Sequence, residues 1–173
     1  MASIERTAYP RFRRVVSARE LADLTPTEED VAWARQRSRS DEHLLALVLS
    51  LSCFARLGYF PRSEDVPAAV VDHVRRCLEL EAGTAPVCGT PTAKLHRSMV
   101  RERLGVTCDP PRVRAVAEDA IAGAALVKNH PPDLINVALE MLVKSSLELP
   151  GFATLDELAA RIGVQPRYAR NPQ

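Results

Sequence analysis

DEHLLALVLSLSCFARLG, residues 41–58, decides the fold. Asp41 opens the stretch and Gly58 closes it, and glycine suits the position just past a helix C-terminus. Between them the residues from Leu44 to Ala55 are apolar nearly all round, the pattern of a helix buried on every side. That apolar run is about twelve residues, and a helix needs about 20 to cross a bilayer. The stretch therefore predicts a buried central helix rather than a membrane span. Such a helix must be covered by others.

The flanking sequence supplies them in one repeated style, a Ser, Thr or Asp cap often followed by proline. Ser17 with Glu20 predicts a capping box for a short helix ending near Leu24. Thr25, Pro26 and Glu28 repeat the arrangement for a helix running to about Arg37. Asp65 and Pro67 open a fourth helix with Val70, Val71, Val74 and Leu78 at helical spacing. Thr90 and Pro91 open a basic helix that Gly105 closes, and Asp109 with Pro110 begins an Ala-rich helix through Val127. Pro131 or Pro132 begins another, with Leu134, Val137, Ala138, Met141 and Leu142 on one side. Thr154 and Glu157 predict a last capping box, with Leu155, Leu158, Ala159 and Ile162 before Gly163. No segment of useful length alternates with period two, so the chain reads as all-α with about eight helices.

The one strong break in composition is EAGTAPVCGTPT, residues 81–92, with two prolines and two glycines. It predicts a linker loop at 82–92 between an N-terminal helical half, 1–81, and a C-terminal half, 93–173. A chain of 173 residues is long enough for one domain with a real core, or for two such halves sharing an interface. The formal net charge is only +1, so binding to nucleic acid has to come from local patches rather than a global field. The four cysteines, Cys53, Cys77, Cys88 and Cys108, contain no C-x-x-C pair. Cys53 and Cys77 read as small core residues, and Cys88, Cys108 and His96 match no structural zinc spacing. The N-terminus, MASIERTAYPRFRR, lacks the apolar core of a signal peptide. No metal or cofactor is expected, and the reducing cytoplasm is the default location.

TAKLHRSMVRERLGV, residues 92–106, concentrates five cationic or potentially cationic side chains. With Lys94 at zero on a helical wheel, Arg97 and Arg101 fall at about 300° and 340° and join it in one outward stripe. Leu95, Met99, Val100 and Leu104 occupy an arc from about 100° to 280°, and His96 and Arg103 fall inside it. Those two must be buried, or reach past the neighbouring element. Two further basic clusters are Arg11, Arg13, Arg14 and Arg19 around Tyr9 and Phe12, and Arg35, Arg37 and Arg39 in a loop between helices. Arginines of this kind form either a solvated helix face or a grip on phosphate. Periodicity alone leaves both readings open.

The order of short motifs bears on the choice. Tyr9-Pro10-Arg11-Phe12 is followed by Glu20-Leu21-Ala22, Leu24-Thr25 and Arg35-Gln36-Arg37, and the apolar helix then ends in Leu57-Gly58-Tyr59-Phe60-Pro61. Asp65-Val66-Pro67 with Val70-Val71, His96-Arg97 through Leu104-Gly105, and Leu147-Glu148-Leu149-Pro150-Gly151-Phe152 with Thr154-Leu155 complete the series. In this order, from about Tyr9 to Ile162, the chain resembles the N-terminal domain of the Tn-three family of replicative transposases, a domain of a type catalogued as of unknown function. The resemblance implies recognition of the double-stranded inverted-repeat ends of a transposon. It implies that Lys94, Arg97 and Arg101, with Arg11, Arg13, Arg14, Arg35, Arg37 and Arg39, meet DNA. The sequence departs from that family between Glu81 and Lys94, where Arg and Tyr give way to AGTAPVCGTPTA, and at His43-Leu44-Leu45.

Members of that family continue into an RNase-H-like catalytic domain with three magnesium-binding acidic residues. Here Asp30, Asp41, Asp72 and Asp119 are scattered without recognisable spacing, and no Gly-rich phosphate loop, H-E-x-x-H or G-x-S-x-G occurs. The expectation is a non-catalytic DNA-binding module. The alternative is a helical protein-interaction domain that pairs with or regulates a full-length transposase, with a second copy of the chain as another partner, and the Ala-rich AVAEDAIAGAALV favours it.

Overall fold

The computed structural model describes residues 1–163. They form eight α-helices: α1 (Ala18–Asp23), α2 (Glu28–Arg35), α3 (Asp41–Leu57), α4 (Ala68–Cys77), α5 (Thr90–Leu104), α6 (Pro110–Ala124), α7 (Pro131–Lys144) and α8 (Phe152–Gly163). Two short 3-10 turns join them, and no strand occurs among the described residues. The all-α expectation holds.

Residues 10–105 make one compact unit, in which α2, α4 and α5 all lie against α3. The Ser40 hydroxyl caps α3 by accepting from the His43 N–H, and Gly58 ends it in the left-handed conformation at φ 78°. Leu45, Leu47 and Val48 have no exposed surface, and Leu44, Leu51, Phe54 and Leu57 are buried with them. Full burial of one such side chain contributes about 1.5–3 kcal/mol, so α3 is the principal source of stability in this unit. From α4, Val70 and Val74 reach the core, with Leu78 just beyond the helix end. Cys77 falls off that i, i+4, i+8 stripe and is exposed, against the expectation of a core thiol. Cys53 is buried as expected, and burial pushes its thiol up to about 12.

The loop 82–92 lies inside this unit. The Val87 N–H donates to the Glu42 carbonyl, and Arg75 Nε donates to the Thr84 carbonyl at 2.7 Å. Composition marks the loop as a break, yet α5 follows it straight back onto α3. The chain divides elsewhere, between Tyr9 and Pro10 and between Gly105 and Val106.

The second unit joins residues 1–9 to residues 106–163, with α6, α7 and α8 packed on one another. Ile121, Ile135, Leu142, Leu155 and Leu158 are fully buried in it. Polar contacts fasten the N-terminal segment there. The Ala2 N–H donates to the buried Asp156 carboxylate at 2.6 Å, and the Ala8 N–H donates to Asn136 Oδ1 at 2.7 Å. The Tyr9 hydroxyl donates to the Pro150 carbonyl at 2.8 Å while its ring meets Phe152 edge-on, centroids 5.6 Å apart. These bonds explain why the first nine residues belong with the last helices, which no local pattern reveals.

Two helix starts differ from the sequence reading. Thr27, not Thr25, caps α2 by accepting from the Asp30 N–H, and Thr25 Oγ1 instead lies 2.8 Å from His73 Nε2. Thr154 lies inside α8, which begins at Phe152.

Candidate nucleic-acid interface

Helix α5 is built from its ends inward. Gly89 precedes it without a side-chain cap, Pro91 fills its first turn, and Gly105 terminates it at φ 64°. His96 and Val100 are buried against α3, which fixes the helix rotation. The wheel placed His96 and Arg103 on the inner side, and both are there. It also placed Leu95 and Leu104 there, yet Leu95 is 54% and Leu104 38% exposed, so the inner arc is narrower than the apolar residues imply.

Of the outward stripe, Lys94 and Arg97 are exposed and Arg101 is half-buried. The Arg97 and Arg101 guanidinium carbons lie over the Phe60 ring at 5.6 and 5.2 Å from its centroid. A ring face attracts a cation through its quadrupole, so Phe60 holds both groups together despite their mutual repulsion. Phe60 is itself propped against Phe54 of α3, centroids 4.6 Å apart. Among the described residues neither Lys94 nor Arg97 has a carboxylate partner.

A second aromatic platform lies on α2. The Trp33 ring receives Arg103 at 4.9 Å and Arg37 at 5.0 Å. Arg103 Nε and Nη2 both donate to Asp30 Oδ1, at 2.9 and 2.7 Å. Desolvation pushes the Asp30 carboxyl up, but hydrogen bonds from Arg103 and Thr27 outweigh it and hold the group below the usual carboxylate range. Arg103 is thereby neutralised and structural.

The remaining sequence-predicted arginines do not gather into one surface. Arg35 donates to the Leu78 carbonyl at 3.3 Å, and Arg37 donates to the Trp33 carbonyl at 3.1 Å. Arg39 donates to His43 Nε2, whose ring in turn meets His96 edge-on at 6.3 Å. Arg13 lies 3.9 Å from Glu20, and Arg11 and Arg14 are exposed on the segment before α1. Phe60 and Trp33 are the aromatic supports of these arginines that the helical wheel missed. They sit far from α5 in sequence, and only the folding of α2 and the α3–α4 connection onto α5 brings them together.

Phe60 and Arg97 also line a cleft of about 160 Å³ with His96, Cys53 and Cys88. Burial lowers the His96 pKa from its ordinary value, with the nearby His43 adding to the shift. Among the described residues no three His, Cys, Asp or Glu side chains converge to hold a metal ion. None of the helices there is long and apolar enough to cross a membrane.

Fold and surface together define an all-helical protein of two compact units, one of them displaying guanidinium groups on an aromatic platform. The chain belongs to the family described as Domain of unknown function (DUF4158), whose family model matches residues 1–162. No curated protein matches the chain.

Proposed function

We propose that the chain is a non-catalytic DNA-binding module that recognises the inverted-repeat ends of a transposon and acts in the cytoplasm. The observation that carries this reading is the pair Arg97 and Arg101 seated side by side on Phe60, with Lys94 one turn away on the same exposed face. Guanidinium groups bind phosphate through paired N–H donors, and preorganisation on a ring reduces the entropy lost on binding. The resemblance of the ordered motifs to the transposase N-terminal domain supports the same reading. In it the arginines fix register on the backbone, while sequence is read by contacts to base edges. Arg11, Arg13 and Arg14 would act as an arm beside α1, and Arg35, Arg37 and Arg39 as a flanking loop.

The test is a gel shift of the full chain with inverted-repeat DNA of the Tn-three type against a scrambled duplex of equal length. Tighter binding to the inverted repeat supports the reading, and binding to neither rejects it.

A second reading is favoured by Leu126, Val127 and Val143, apolar side chains 70%, 83% and 63% exposed in the unit of α6 to α8. Exposed apolar residues of this size fit a protein partner, either a second copy or a full-length transposase. A concentration-dependent dimer on a sizing column, without DNA binding, would favour this reading over the first.

A further inference from the structure

The cleft beside α5 has an uneven chemistry. Leu49 of α3, Phe60 and Val66 of the α3–α4 connection, and Val71 of α4 supply apolar walls. His96 and Cys53 lie buried in its lining, while Arg97 and Cys88 are exposed and mark its outer edge. Among the described residues that line it, Arg97 is the one permanently charged side chain, and none is a carboxylate. An apolar space with one cation at its edge complements an apolar body carrying one negative charge. At about 160 Å³ the space matches the volume of about 150 Å³ that holds benzene in an engineered apolar cavity.

We infer that this cleft binds a small ring-sized apolar acid, with the ring between Leu49, Phe60 and Val71 and the anionic group on Arg97. A carboxylate pairs with guanidinium through charge-assisted hydrogen bonds, and the walls exclude water from the ring. Arg97 serves two surfaces, since it lines the cleft and stands in the cationic stripe of α5. A bound acid therefore takes one guanidinium away from DNA, and acid and duplex compete. This competition rests on the DNA-binding reading, whereas occupation of the cleft does not.

Cys88 reports occupancy, because its exposed thiol lies at the edge of the cleft. Cys77 and Cys108 are also exposed, do not line the cleft and serve as internal controls. The full chain is alkylated with iodoacetamide in sodium benzoate, benzyl alcohol or sodium chloride, and the rate at each cysteine is read by peptide mass mapping. Benzoate at about ten times its Kd should slow Cys88 about tenfold and leave the other two thiols unchanged. Benzyl alcohol, the same ring without the charge, should protect far less, and Arg97→Gln should remove most of the benzoate effect. Equal protection by benzyl alcohol, equal slowing at all three thiols, or no slowing at Cys88 overturns the inference.

A second arm titrates benzoate into the DNA complex. Loss of DNA affinity in the wild type but not in Arg97→Gln supports competition. Cys88 protection with unchanged DNA affinity overturns competition alone. Cys88 protection in a protein that binds no duplex sinks the DNA reading and leaves the cleft occupied.

Discussion

Two aromatic rings each collect two arginines, and Arg103 at one differs from Arg97 at the other in what answers its charge. At Trp33, Arg103 is half-buried and bonded twice to Asp30, so its charge is neutralised within the fold. At Phe60, Arg97 is exposed and has no carboxylate partner among the described residues. Identical side chains thus divide by their neighbours into one that holds helices together and one available to an external anion. An arginine count on α5 does not make that distinction.

The largest expected effect lies at the neutralised platform. Asp30→Ala strips Arg103 of its acceptor, with both side chains only about a quarter exposed, and should cost about 2 kcal/mol in urea unfolding. A loss below the error of the measurement would make the Trp33 cluster as superficial as the Phe60 one. Gly105→Ala comes next. The added methyl group meets no atom within 4 Å, so the left-handed φ of 64° is the main penalty. About 1 kcal/mol is expected, and it tests whether the end of α5 that carries Arg103 is fixed by backbone conformation. Arg97→Ala with Arg101→Ala should change stability least, by about 0.5 kcal/mol or less. A loss as large as that of Asp30→Ala would show that the Phe60 cluster is structural too.

The pH dependence sharpens the same contrast. Burial, with help from His43, lowers the His96 pKa, so the unfolded chain takes up a proton at a higher pH than the folded one. Stability is therefore complete above the ordinary histidine value of about 6.5 and falls as the pH drops below it. His73 shifts in the same direction, through burial and the neighbouring Arg76. Urea unfolding at pH 7.5 and 5.5 should show a loss in the wild type that shrinks in His96→Leu. An equal loss in both proteins would place the proton uptake elsewhere.

Much of the fold was legible because helix signals are local. The all-round apolar face of α3, the Ser17–Glu20 capping box and the glycines after α3 and α5 each act within a few residues. The division of the chain was not legible. It depends on bonds such as Ala2 to Asp156 and Tyr9 to Pro150, between residues at opposite ends of the sequence. The proline-rich loop at 82–92 misled because composition reports turns, whereas a boundary depends on where the next helix packs. On α7 the inner face includes Ile135 and Leu139 and leaves Met141 40% exposed, because two neighbouring helices widen the buried stripe beyond one wheel face. Within the candidate site, the wheel found the orientation of His96 and Arg103. It missed Phe60 and Trp33, whose roles arise only when separate helices meet α5.

The central claim, that α5 grips phosphate through Arg97 and Arg101, is tested most directly by the salt dependence of DNA affinity. Each phosphate neutralised on duplex DNA contributes a slope of about −0.9 in log affinity against log salt. The wild type should give a straight line, and the Arg97→Ala, Arg101→Ala double variant should reduce the magnitude of its slope by up to about two units. An unchanged slope in a folded double variant would remove α5 from the interface and contradict the account.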